Sequence, residues 1–245
     1  MMRLPPLLMG CSPFIGAGQF GAKSLLYYQR FYLNPENMVR LFLKSFELGV
    51  DAVQLLADRP IDALIEASRR SGVKPYVVYS THLSGRALRE ILNRLSPLEP
   101  EVVAVHAEVA DRGDVDAIAR RLEVIEEYGA CGGVATHRPG MTIPWLERVE
   151  LPIKVVLAPL NRVGYAMEPS FDESLEAIRR CRFGVIAIKP LAAGRLKPLE
   201  AFRFVYRYVG SAAVGVVSEG EMRETYEAAR RAYRELRLKA LDESG

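Results

Sequence analysis

The chain has 245 residues, 49% of them hydrophobic and 26% charged, with 33 basic against 30 acidic side chains. That much apolar material excludes a disordered chain, and a formal net charge of +3 is too small for a nucleic-acid groove or a polybasic membrane anchor. Cys11, Cys131 and Cys181 are odd in number and far apart, which excludes a disulfide framework and points to a reducing compartment. No apolar run approaches the roughly 18 residues of a membrane span. Residues 1–10 are cut by Pro5 and Pro6 and make a poor signal peptide. The expectation is a soluble, cytoplasmic protein that acts on a small molecule and binds neither nucleic acid nor membrane. Asn and Gln together number seven, a scarcity met in thermophile proteins, although 26 Arg among the cations equally reflects nucleotide composition.

Taken in chain order, short apolar runs fall at 7–11, 52–56, 75–79, 102–105, 131–135, 153–157, 185–188 and 213–217. They are apolar throughout, as strands covered on both faces must be. Amphipathic stretches with helix punctuation separate them. Asn34-Pro35-Glu36 reads as a cap, a first-turn proline and an acidic first turn, and that helix runs to Gly49. Pro60 opens the next, and Gly72 follows its end. Ser84, Asp114 and Ser170 are further candidate caps. The last helix puts Met222, Tyr226, Ala229, Tyr233 and Leu236 on one face. Beyond the first, the strand-to-strand intervals run from 22 to 32 residues, the size of one βα unit. Eight such units predict a single-domain α/β protein over 1–245, a (β/α)8 TIM barrel. A doubly wound sheet is the alternative, but it gives no reason for eight strands. The long first interval comes from an aromatic-rich insertion at 12–34, carrying Phe14, Phe20, Tyr27, Tyr28, Phe31 and Tyr32. It either packs onto the barrel or a second subunit, or walls the active face.

Chemistry in such a barrel sits at the C-terminal ends of the strands. The three histidines of the chain, His82, His106 and His137, all fall there, after three consecutive strands. Neighbouring strands lie about 5 Å apart, so the rings can converge. Two chemistries follow, general acid–base catalysis and metal ligation, the latter with Glu108 or Cys11 as a further ligand. No His-x-His or His-Glu-x-x-His spacing supports the metal. Gly16-Ala17-Gly18-Gln19-Phe20-Gly21 has the Gly-x-Gly-x-x-Gly pattern, but no second strand with a terminal acid follows, so it reads as a tight loop over the barrel mouth. Lys189 and Arg195 after strand seven, and Ser218-Glu219-Gly220-Glu221 after strand eight, mark where barrels bind anions at loop amides and a helix N-terminus. Glu219 and Glu221 equally suit that terminus as purely structural residues.

The run from Gly184 through Ile188-Lys189-Pro190-Leu191-Ala192-Ala193-Gly194-Arg195-Leu196 resembles the strand-seven segment of the aldo–keto reductases. Val217-Ser218-Glu219-Gly220-Glu221-Met222-Arg223 is similar to their strand-eight cofactor segment. Phe46-Glu47-Leu48-Gly49-Val50 and Leu160-Asn161 match further positions. The resemblance implies a barrel that binds NADP(H) through Lys189, Gly194, Arg195, Ser218, Gly220, Arg223 and Asn161. It also implies carbonyl reduction by an Asp, Tyr, Lys and His tetrad. Of the tetrad only the His is matched, by His106; Gln54, Arg59 and His82 stand at the Asp, Tyr and Lys positions. The nicotinamide anchors read Ala135-Thr136, Leu157 and Ile188. Arg cannot donate a proton near neutral pH.

Three readings follow. The first is a divergent NADP(H)-dependent oxidoreductase acting on a small carbonyl or alcohol, with His106 as acid. The second is a non-redox small-molecule enzyme, a lyase, isomerase or metal-assisted hydrolase, using His82, His106, His137 and Gln54. The third is a barrel that has lost its catalysis.

Overall fold

A computed structural model describes residues 2–242. Eight parallel strands close in sequence order into one barrel. They are β1 (Leu7–Gly10), β2 (Ala52–Leu56), β3 (Tyr76–Thr81), β4 (Val102–Val105), β5 (Cys131–Ala135), β6 (Val155–Pro159), β7 (Gly184–Ile188) and β8 (Ser211–Gly215). The helices are α1 (Lys23–Tyr27), α2 (Pro35–Glu47), α3 (Arg59–Ser71), α4 (Gly85–Leu95), α5 (Ala107–Ala110), α6 (Val115–Glu127), α7 (Pro139–Leu146), α8 (Phe171–Arg180), α9 (Pro198–Val205) and α10 (Glu219–Asp242).

Side chains alternate along each strand, so each strand feeds two cores. Leu8, Ala52, Val78, Val102, Ala104, Ala135, Val155, Leu157, Ile186 and Ala213 fill the barrel interior. Their neighbours of opposite parity, among them Met9, Val53, Val77, Val103, Val134, Val156 and Ala187, pack outward under the helices. This double burial is why the strands read as unbroken apolar runs.

Several boundaries differ from expectation, each for a backbone reason. β3 starts after Pro75, which has no N–H for the ladder. β6 starts at Val155, because the Ile153 amide turns back onto the Leu151 carbonyl at 2.7 Å. β1 stops at Gly10, where Cys11 enters a 3-10 turn over Ser12–Ile15. β8 stops at Gly215 because the Val217 amide donates to Glu221 Oε2 at 2.9 Å instead of a strand. Asp114 and Ser170 do cap, accepting from the amides of Ala117 and Glu173. Asn34 and Ser84 do not; the Asn34 amide group instead donates to the Gln29 carbonyl at 2.7 Å. α3 opens one residue before Pro60, with Asp58 accepting from the Arg59 amide.

The aromatic segment after β1 forms two 3-10 turns, α1 and a π turn over Tyr28–Tyr32. Phe14 and Phe31 bury against Phe42 of α2, with ring centroids 4.9 Å apart (Phe14–Phe31) and 5.4 Å apart (Phe14–Phe42). Pro13 folds over the end of β8: a Cβ on Gly215 would stand 2.6 Å from its ring.

Candidate active site

The three histidines share one parity. Inward positions on β3 run Tyr76, Val78 and Ser80, which leads to His82; on β4 they run Val102 and Ala104, which leads to His106. On β5 they run Gly133 and Ala135, which leads to His137. All three residues therefore leave the strands over the barrel mouth. The His82 and His106 rings have centroids 6.5 Å apart, and the His106 and His137 rings 5.7 Å, both edge to face. Ala104 and Ala135 lie one inward position beneath His106 and His137.

His106 is the N-cap of the short helix α5, and its Nδ1 accepts from the Glu108 amide at 3.3 Å. That contact assigns the ring proton to Nε2, which faces away as a donor. Burial pushes the His106 pKa below 6.5, reinforced by His82 and Lys189 and opposed by Glu108 and Asp111. His137 is pushed down to about 4, by burial first and then by the charges of Lys189 and His106. Its outer edge still reaches solvent, which screens those charges. Both shifts favour the neutral ring. His82 and His137 are both exposed at the barrel mouth and His106 is half-buried; the His82 carbonyl accepts from Arg121 of α6.

A residue with no sequence signal organises the cluster. Asp111 ends α5 and accepts from Thr136 Oγ1 at 2.5 Å, Thr142 Oγ1 at 2.7 Å and the His137 amide at 2.9 Å. His106 starts that helix and Asp111 ends it, so one helical turn joins His106 to the loop that carries His137.

The residues singled out for a cofactor separate into three places. Lys189 stands in the histidine pocket: its charge acts on His106 and His137, and Asp111 and Glu168 act on it. Arg195 lies at the rim, stacked 4.2 Å over the Tyr165 ring. Asn161 grips the Tyr165 backbone through both amide atoms, and Tyr165 Oη donates to the Gln19 carbonyl at 3.4 Å. The glycine-rich loop thus reaches across to the loop after β6. Gly16 in that loop has φ +61, and a Cβ there would stand 2.4 Å from the Ser24 carbonyl oxygen. Ser218, Gly220 and Arg223 sit at the start of α10. There Ser218 Oγ accepts from the Glu221 amide at 3.2 Å, while Glu221 returns its carboxylate to Val217. This reciprocal cap occupies two of the amides at that terminus, those of Val217 and Glu221, and sets a carboxylate beside it. Gly194 and Gly220 have no protein atoms close to where a Cβ would stand, and Gly194 has φ +85.

Gln54 points inward but is in register with Val78, four residues before His82, and its amide group donates to the Leu55 carbonyl. Between them Ser80 presents a buried hydroxyl with no hydrogen-bond partner. Arg59 is outside the pocket; its guanidinium stacks 5.0 Å from the Tyr32 ring centroid and donates to the Tyr32 carbonyl. Among the described residues no group of three or more His, Cys, Asp and Glu side chains is placed to hold a metal ion. The reason is local: His106 Nδ1 and both Asp111 oxygens already have partners. A cleft of 340 Å³ lined by Arg162, Glu200, Arg203, Phe204 and Arg207 contains none of the predicted site residues.

No family model and no curated protein matches the chain. Solved structures do. A protein from Pseudomonas aeruginosa assigned as an aldo–keto reductase superposes with a TM-score of 0.67 at 16% identity, over 94% of this chain and 91% of that one. An aldo–keto reductase of Klebsiella pneumoniae, crystallised with NADP and acetate, gives 0.62 at 15% identity, over 92% and 86%. A D-tagatose 3-epimerase-like protein gives 0.57 at 15% identity, over 83% and 97%. The chain therefore has the barrel fold of the aldo–keto reductases, a fold that also carries an epimerase-like protein, and at these identities the likeness is one of fold.

Proposed function

We propose that the protein is a non-redox enzyme that moves a proton on a small carbonyl compound at the barrel mouth. The observation that carries this is the convergence of three histidine rings at the barrel mouth; burial favours the neutral form of two of them, and the charge of Lys189 acts on both. His106 presents Nε2–H and so polarises a substrate oxygen, as a neutral donor that becomes an acid when charge develops there. His137 is the base, since a neutral ring can accept a proton from a carbon next to the carbonyl.

The test needs no knowledge of the product. Pyruvate, glycolaldehyde and dihydroxyacetone are incubated with the protein in D2O, and loss of the hydrogens next to the carbonyl is followed by proton NMR. Exchange above the buffer rate is expected for at least one compound, falling about 10²–10⁴-fold in His106→Gln or His137→Gln. No exchange across the panel overturns the reading.

A redox reading is favoured by one observation, the NADP bound to the Klebsiella protein of the same fold. The residues present do not fit that cofactor. The Glu221 carboxylate fills the α10 terminus. Buried Leu157 and the aliphatic Ile188 replace polar and aromatic anchors that the resemblance calls for. The charge of Lys189 acts on His106 and His137. The exchange assay separates the two readings, because hydride reduction leaves the neighbouring hydrogens in place.

A further inference from the structure

Lys189 follows the last residue of β7, Ile188, whose side chain packs against the barrel interior. Continued as a strand, the chain would send the Lys189 side chain outward, under the helices. It does not continue. Lys189 has φ +54, a left-handed conformation disfavoured for any side chain, and Pro190 behind it disfavours helical geometry further. Six non-glycine residues among those described have positive φ, and Lys189, Ala192 and Ala193 of this one loop are three of them. Backbone strain of this kind persists where surrounding structure enforces it, and here it diverts Lys189 from the outward path of a continuing strand.

The groups facing that amine are His106 at the start of α5, Asp111 at its end, His137 after β5, and Glu168 in the loop before α8. None of them touches it: the Lys189 side chain makes no hydrogen bond or ion pair among the described residues. Asp111 is engaged by two hydroxyls and an amide, and Glu168 lies 3.6 Å from the Arg138 guanidinium. Half-burial without a direct ion pair disfavours the ammonium form, an effect that the more distant carboxylates of Asp111 and Glu168 oppose. Burial indeed holds its pKa below 10.5.

We propose that the Lys189 amine is a nucleophile that condenses with the carbonyl carbon of a small aldehyde or ketone to form an imine in this pocket. The nitrogen lone pair forms the new C–N bond, and the carbonyl π pair moves to oxygen, which takes the proton from His106 Nε2. The nitrogen of the adduct gives up a proton to His137. His137 passes that proton to the hydroxyl, which leaves as water while the nitrogen lone pair closes the C=N bond, and the iminium N–H returns a proton to His106. One water is released and nothing is oxidised or reduced. The imine acidifies the neighbouring C–H bond, so this inference rests on the proton-transfer reading above and deepens it.

The experiment traps the adduct. The full chain is incubated with pyruvate, glycolaldehyde and dihydroxyacetone in turn, sodium borohydride is added to reduce any imine to a secondary amine, and peptides are mapped by mass spectrometry. One adduct on Lys189, absent from Lys189→Met while that variant keeps its fold by circular dichroism, is the expected result. Label spread over the exposed lysines, or labelling unchanged in Lys189→Met, overturns the proposal. Deuterium exchange without a trapped adduct, persisting in Lys189→Met, overturns the imine and leaves the proton-transfer reading standing. Neither adduct nor exchange overturns both.

Discussion

At the scale of single residues the site is set by burial acting on bases. A histidine whose folded pKa lies below its unfolded value is neutral in the fold, and the unfolded chain binds the extra proton as pH falls. Its stabilising contribution is complete above about 6.5 and is lost as pH drops through the folded value, which for His137 is about 4. Urea denaturation at pH 7 and pH 5 reads this: stability falls between the two, and His137→Gln loses less than the unsubstituted chain over that interval. An equal loss in both shows that the ring is not held neutral. Asp111 gives a second test. Asp111→Asn removes the charge behind three hydrogen bonds, each worth about 1.5–3 kcal/mol when the acceptor is ionised, so a loss on the order of 2–3 kcal/mol is expected by denaturation. Asp111 also holds up the pKa values of His106 and His137, so the variant titrates both rings at lower pH by NMR. A role confined to holding the loop would leave those titrations in place.

Among the elements, the two decisive ones are short and had little periodicity to show. α5 has four residues, too few for an amphipathic pattern, and its start is capped by an imidazole rather than by Ser, Asp or Asn. The glycine-rich loop was visible as a pattern, but its reason is steric. Gly16→Ala forces a side chain into a left-handed residue against the Ser24 carbonyl, and should cost about 1–3 kcal/mol. Gly18→Ala, with ordinary φ and open space around it, is expected to be neutral or slightly stabilising. Urea midpoints of the pair check this; equal midpoints would mean the loop relaxes freely. The caps show the same limit. Asp114 and Ser170 cap as their residue type suggests, whereas Asn34 turns to Gln29 because the π turn before it brings that carbonyl within reach.

For the whole molecule, the barrel was legible because burial on both strand faces leaves a linear trace: apolar runs recurring at the spacing of one βα unit. The same regularity announced that His82, His106 and His137 end consecutive strands, and parity and closure then bring their rings to within 6.5 Å and 5.7 Å. Both facts follow from local rules, alternation along a strand and order around a barrel. What only the tertiary structure decided are contacts between segments distant in sequence. Asp111 meets Thr136 and Thr142, Tyr165 meets Arg195 and Gln19, and Lys189 comes near enough to His106 and His137 for its charge to act on both rings. The cofactor residues grouped by resemblance are thereby divided among pocket, rim and helix end. No periodicity encodes such meetings, because they depend on where closure of the barrel sets the loops against one another. Periodicity in the chain determined the barrel and the strand ends that carry the histidines, while packing of the loops decided which charges face them.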